Sequence, residues 1–190
     1  VRDFDKLRQI FDSISDFKIE AIVNNAGLAL GKDPLEKEDP KTWDTVLDTN
    51  IKGALNLIKC GIPLLRKSKG YLINITSIAA YQAYAGGAVY SASKHALKAI
   101  SMSVREELLG SGIRITDIAP GLVATNFTNV RFDNDEKVFN DTYKGVNPLV
   151  ADDIASIICW CIEQPKHINI QEMVVTPTNQ FDVRISHRES

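Results

Sequence analysis

The chain of 190 residues is 44% hydrophobic and 24% charged with a formal net charge of −2, a size and composition that suit one domain around one sizeable core. No long run of one charge sign marks a nucleic-acid or anionic-membrane surface. No apolar run approaches the ~20 residues needed to cross a bilayer, and Val1 onward lacks the basic-then-apolar order of a secretory signal, so a cytoplasmic protein with a small-molecule partner is expected.

In chain order, Phe4, Leu7, Ile10, Phe11 and Ile14 recur at helical spacing behind the capping residue Asp3, and the apolar run Ala21-Ile22-Val23 predicts a buried strand. Asp39-Pro40 supplies the cap and first position of a second helix. Its apolar stripe is Trp43, Val46, Leu47, Ile51, Ala54, Leu55 and Ile58, and it ends before Lys67 to Gly70. Tyr71 to Ile75 reads as a second strand, Val89 to Leu109 as a long helix, and Ile113 to Ile118 as a third strand after the turn Gly110-Ser111-Gly112. Residues 126–148 are polar and turn-rich. A last helix over Asp152 to Ile162 opens on an acidic pair suited to a helix N-terminus and leads to a strand over Glu172 to Thr176. Cys60, Cys159 and Cys161 form neither a disulfide framework nor a zinc pattern. No metal is expected, and all three should be buried thiols among apolar neighbours. The glycosylation-type triplets at Asn74 and Asn126 read as chance, the first lying in a run that should be buried.

Helices alternate with continuously apolar strands, which predicts an α/β fold with a parallel sheet. Such sheets bind ligands at the carboxyl ends of their strands. Three strand ends here are small and polar: Asn24-Asn25-Ala26-Gly27, Thr76-Ser77 and Pro120-Gly121. Asn50 falls inside an apolar stripe and should face inward, where a buried amide needs partners; a tie to neighbouring backbone meets that need. Tyr90 and Lys94, at i and i+4, share a helix face kept slim by Ser91, Ala92, Ser93, Ala96 and Ala99. A phenol with a pKa near ~10 is a poor base at neutral pH. A cation ~4 Å away contributes about 4 kcal/mol at an effective dielectric of ~20, enough to bring Tyr90 near neutrality if Lys94 stands beside it.

With NNAG at 24–27, Asn50 in DTNIKGAL, Ser77 in INITS, YSASK at 90–94 and PG at 120–121, the chain resembles the short-chain dehydrogenase/reductase family over nearly its whole length. The segments PGLVATNFTNVRF and PLVADDIASII resemble a narrower branch, the NADP-dependent dehydrogenases of serine, allo-threonine and other 3-hydroxy acids. The resemblance implies a Rossmann-like doubly wound parallel sheet and hydride exchange between a nicotinamide cofactor, NADP with NAD as the alternative, and a small alcohol or carbonyl compound. It implies Tyr90 as the proton donor or acceptor, Ser77 as the holder of the reacting oxygen, Lys94 as the tuning cation and ribose ligand, and Asn50 as the holder of a water reaching Lys94. Asn24, Ala26 and Gly27 would lie along the adenosine, and Pro120, Gly121, Val123 and Thr125 would frame the nicotinamide. Residues 126–148 match the family's substrate lid, where Arg131 is the candidate partner of a substrate carboxylate. A homodimer or homotetramer through the helices containing Asn50 and Tyr90 is also implied.

The chain departs from the family in lacking its opening strand and glycine-rich turn. Residues 1–190 are therefore expected to be a single domain incomplete at the N-terminal side, with the family's first three strands absent and an apolar edge at Val23. A non-catalytic interaction module of this fold and a sugar-nucleotide epimerase or dehydratase, which shares YxxxK, are the alternatives.

Overall fold

The computed structural model describes residues 1–188. Asp3 caps α1 (Phe4–Ser13), its carboxylate accepting from Lys6 N at 3.0 Å, and β1 (Ala21–Asn24) follows. Asp39 caps α2 (Pro40–Leu47) by accepting from Lys41 N at 3.0 Å, with Pro40 in the first turn, where its missing N–H has no intrahelical partner to lose. The single helix expected from here to residue 66 is broken by a π-helical turn, Asp48–Lys52, before α3 (Gly53–Ser68). The wider turn shifts the apolar stripe. Leu55, expected inside, is exposed, while Asn50 is buried.

Next come β2 (Tyr71–Ile75), α4 (Ala88–Glu107) and β3 (Arg114–Pro120). The segment 126–148, expected to be turn-rich, instead holds α5 (Asn126–Arg131) and α6 (Glu136–Tyr143). It is pinned at both ends by a small parallel pair that the sequence did not announce, β4 (Val123–Ala124) with β5 (Leu149–Val150). Finally α7 (Ala151–Glu163) and β6 (Glu172–Val175) complete the chain's regular structure. The acidic first turn of α7 is used as expected: Asp153 Oδ2 accepts from Val150 N at 2.8 Å.

The main sheet is parallel throughout, in the order β1-β2-β3-β6. Helices cover both of its faces, as in doubly wound folds. On one face Ile22, Leu72 and Ile115 sit in one register row and pack with Leu57, Ile58 and Leu65 of α3 and Val104 of α4. On the other, Tyr71, Ile73 and Ile118 pack with Ile154 and Cys161 of α7. Strand alternation makes this division, since successive residues point to opposite sides.

Two residues further along the strands, the first face changes character. Asn24, Asn74, Asp117 and Glu172 form a polar row across all four strands. The first three are buried, which also removes Asn74 as a glycosylation acceptor. Cys161 is buried and Cys60 half-buried, whereas Cys159 is exposed. Its helix shows one face to the core, and position 159 points the other way, beside Trp160, so the expectation of three buried thiols fails there. No helix among the described residues is long and apolar enough to cross a membrane.

Candidate active site

The three small, polar strand ends do meet at one edge of the sheet. At the end of β2, Thr76 N and Oγ1 both donate to Ile118 O, at 2.8 and 3.0 Å, prolonging the pairing with β3. Ser77 then turns the chain, its Oγ accepting from Ala79 N at 3.1 Å. α4 lies over this corner. The serines between Tyr90 and Lys94 explain its close approach: Ser91 and Ser93 are 2% and 0% exposed.

Lys94 is buried, and its ammonium donates to Ile75 O at 2.8 Å. The Tyr90 ring centroid lies 5.8 Å from Lys94 Nζ. Asn50 faces the same place from the π-helical turn: its Oδ1 accepts from Leu28 N at 2.9 Å, and its Nδ2 donates to Leu28 O at 2.8 Å and to Ser93 Oγ at 2.9 Å. Ser93 Oγ donates onward to Tyr90 O at 2.7 Å. The amide thus ties β1's loop to the helix that carries Tyr90, the backbone-tying role expected of a buried asparagine. A Cβ on Gly27 would stand 3.3 Å from Asn50 Oδ1 and 3.4 Å from Lys94 Nζ, so the NNAG loop passes directly over both groups.

The electrostatics correct one expectation. Lys94 was expected to bring Tyr90 toward neutrality, yet burial dominates both groups and favours their neutral forms. Tyr90 is pushed up to about 12 by burial, with Tyr84 acting in the same direction and Ser77 and Arg131 opposing it. Lys94 is brought down to about 8, again by burial. The hydrogen bond that the ammonium makes goes to Ile75 O, at the end of β2.

Asn24 also differs from the expected placement. Its side chain points into the sheet face and donates to Asn74 Oδ1 at 2.9 Å, leaving Asn25 and Ala26 as the exposed residues of the motif. On the opposite side of the site, Gly121 N donates to Val175 O at 2.7 Å, and Leu122 N donates to Gln180 Oε1 at 2.8 Å. Pro120 is buried, and Val123 and Thr125 are half-buried. Thr125 caps α5 by accepting from Phe127 N at 3.3 Å, and the Phe127 and Tyr90 ring centroids are 5.6 Å apart.

Arg131 reaches the same neighbourhood, with its guanidinium carbon 5.8 Å from the Tyr90 ring centroid. Three of its donors are engaged: Nε to Gly31 O at 3.0 Å, one terminal nitrogen to Tyr84 Oη at 2.8 Å and the other to Gly86 O at 3.2 Å. Guanidinium carries five N–H groups, so two remain. Gly86 is required here: its φ is +71°, and a Cβ would come within 2.2 Å of Lys32 O. Sequence reasoning missed Tyr84, Gln180 and also Arg188, whose guanidinium donates to Asp141 O, Thr142 O and Lys144 O at the end of α6. None has a local sequence signal, because each acts on a partner far along the chain: Tyr84 on the Arg131 guanidinium, Gln180 and Arg188 on backbone.

A parallel sheet, a serine at the end of β2 and a Tyr-x-x-x-Lys helix laid over it define a class of nucleotide-dependent oxidoreductase folds. The short chain dehydrogenase family model matches residues 1–136, and the chain belongs to that family. It is 46% identical over 162 residues to the serine 3-dehydrogenase of Agrobacterium fabrum (strain C58), an alignment covering 85% of this chain and 65% of that protein. To the NADP-dependent 3-hydroxy acid dehydrogenase YdfG of Escherichia coli (strain K12) it is 39% identical over 164 residues, covering 85% of this chain and 66% of the other. The chain therefore spans about two thirds of the length of these relatives. Its backbone matches the closed form of serine dehydrogenase complexed with NADP+ at a TM-score of 0.92 and 34% identity, covering 100% of this chain and 78% of that one.

Proposed function

We propose that the full-length protein is an NADP-linked dehydrogenase of serine, allo-threonine or a similar small 3-hydroxy acid, with Tyr90, Ser77, Lys94 and Asn50 as its catalytic set. The observation that supports this best is the meeting of Ser77, Tyr90 and a buried Lys94 at one corner of the sheet, in a chain similar to dehydrogenases of serine and of 3-hydroxy acids.

The residues present fit a nicotinamide nucleotide. An ammonium has three N–H groups; Lys94 gives one to Ile75 O, and two are free to hold ribose hydroxyls. Exposed Ala26 and the adjoining Gly27 would run beside the adenosine, and Pro120, Gly121, Val123 and Thr125 would border the nicotinamide. When bound, the nicotinamide supplies the hydride donor or acceptor. Ser77 Oγ donates a hydrogen bond to the substrate oxygen and stabilises the charge that builds on it. Tyr90 Oη takes the proton from that oxygen in oxidation and returns it in reduction. Lys94, as the charged ammonium, stabilises the phenolate form in which Tyr90 takes the proton in oxidation and to which it returns on giving that proton back in reduction. Asn50 holds the NNAG loop and the first turn of α4 in place, and its role toward a water that reaches Lys94 rests on family resemblance.

Segment 126–148 acts as the lid over substrate, with the two unengaged N–H groups of Arg131 taking the substrate carboxylate. Assembly as a homodimer or homotetramer through α3 and α4 is supported by exposed Leu55 and Met102 on those helices. A cytoplasmic location belongs to the same reading. The test is the full-length protein with NADP+ or NAD+ and serine, allo-threonine or 3-hydroxybutyrate. NADP-linked oxidation of at least one hydroxy acid, abolished by Tyr90→Phe with coenzyme binding intact, is expected. No turnover of any of the three, or full activity in Tyr90→Phe, would overturn it.

A further inference from the structure

The polar row across the sheet contains a carboxylate that the mechanism does not use. Asp117 has no exposed surface and lies between Asn74 of β2 and Glu172 of β6. Its Oδ1 accepts from Ser101 Oγ of α4 at 2.6 Å, and its Oδ2 has no hydrogen-bond partner, the nearest cation being Arg105 at 3.9 Å. A buried carboxylate so thinly satisfied is unfavourable for folding. Such residues tend to persist where a site depends on them.

Ser101 is the link. Its Oγ accepts from Asn74 Nδ2 at 2.8 Å, so its single hydrogen has a choice between Asp117 Oδ1 and Leu97 O, the latter at 3.0 Å within α4 itself. A charged acceptor makes the shorter and stronger bond. While Asp117 is ionised, the hydrogen crosses from helix to sheet; once Asp117 is neutral, that advantage goes and the carbonyl inside the helix competes. The same helix carries Lys94 about two turns nearer its start. We propose that Asp117 is a positioning residue for the reaction at Tyr90: by drawing the Ser101 hydrogen onto the sheet, its carboxylate fixes the seat of α4 and so the placement of Tyr90 and Lys94.

The groups that face Asp117 are Arg105 and Lys98 from α4, Glu172 from β6 and Tyr81 after β2, with Asn74 and Ser101 neutral. Lys98 is paired with Glu172 at 3.2 Å, and Tyr81 Oη donates to the same oxygen at 2.8 Å. Arg105 therefore supplies the main opposing charge. Burial, with Glu172 adding to it, raises Asp117 from 3.8 to about 6, against Ser101, Arg105 and Asn74. The sign follows: stability linked to this group is full below its unfolded value near 3.8 and is lost as pH rises through about 6. Function and stability should thus pull in opposite directions.

This inference rests on the dehydrogenase reading above, and the test separates the two. In the full-length protein, Asp117→Asn should lower kcat about ten-fold, with the KM for hydroxy acid within about two-fold. It should keep or raise Tm at pH 7.5, and it should lack the acid limb that the parent shows near pH 6 in log kcat. Ser101→Ala should lower kcat to a similar extent with the carboxylate retained. As a readout free of turnover, the tyrosine ring-carbon NMR signal of Tyr90, assigned with Tyr90→Phe, should move in both variants. A parent without turnover but with a displaced Tyr90 signal in the variants refutes the dehydrogenase reading and upholds the positioning. An active parent whose variants keep kcat, the acid limb and the Tyr90 signal refutes the positioning alone. A loss of kcat matched by an equal loss of Tm, with the acid limb unchanged, assigns Asp117 a structural role and also refutes it.

Discussion

The two walls of the site are built differently. The sheet-side wall, comprising Ser77, Lys94 and Asn50, is buried, and each member is fixed by backbone at or just past a strand end: Ala79 N in the turn after β2, Ile75 O at its end and the Leu28 peptide in the loop after β1. The lid-side wall, Arg131 with Phe127, sits on a helix of 6 residues and is held by hydrogen bonds to loops around Gly31 and Gly86. Groups that must meet a reacting atom within a fraction of an ångström belong on rigid backbone, whereas groups that admit and release substrate belong on an element that can open. The first wall should therefore govern kcat, and the second KM.

The largest effect expected is at Tyr90. Tyr90→Phe removes the hydroxyl proposed to exchange a proton with the substrate oxygen, and kcat should fall at least ~10³-fold with coenzyme binding unchanged by fluorescence titration. Lys94→Met comes next, at about 10²-fold in kcat. Burial takes Lys94 from 10.5 to about 8, so stability linked to it is absent at neutral pH and recovered only as pH rises from about 8 through 10.5. Lys94→Met should accordingly raise Tm at pH 7, with the gain shrinking toward pH 10; a lower Tm at pH 7 would contradict the burial-driven shift. Asn50→Ala strands the Leu28 N–H and C=O, and should lower unfolding free energy by about 2 to 3 kcal/mol in urea titration.

Arg131→Ala tests the other wall. It should raise KM for the hydroxy acid about ten-fold while leaving kcat within about three-fold, a loss of binding common to ground and transition states. A fall in kcat with KM unchanged would erase the distinction between the walls. Smallest of all, Thr125→Ala removes the cap of α5 and should speed amide exchange in Asn126–Arg131 by an amount equivalent to about 1 kcal/mol, without altering exchange in α4.

Much of the rigid wall was legible in the sequence because its signals are local. Capping by Asp3 and Asp39, the slim Tyr90–Lys94 face and the apolar strands all reflect neighbours within a few residues. The inward turn of Asn50 was legible too, since a polar residue inside an apolar stripe has to find partners. The π-helical turn was not, because no residue type in DTNIK demands it; packing on both sides of Asn50 selects it. Nor was the acceptor of Lys94, because spacing reports which face a side chain shares and says nothing of a carbonyl on another strand. The segment proposed as a lid was least legible: Arg131 bonds to Gly31 across 100 residues of sequence. Short helices such as Asn126–Arg131, whose order comes from such contacts, leave little periodic trace.

The parallel register carries a kinetic consequence. In every ladder of the main sheet, Ala21 with Tyr71, Tyr71 with Arg114 and Asp117 with Glu172, the partners are about 40 to 55 residues apart, and closing such loops loses chain entropy before any pairing rewards it. Refolding should therefore be slow beside that of a helical bundle of equal length. Its nucleus should form where the closure is shortest, between Tyr71–Ile75 and Arg114–Pro120 with the long helix between them. The corner where Ser77, Tyr90 and Lys94 meet would then be among the first parts of the molecule to take shape.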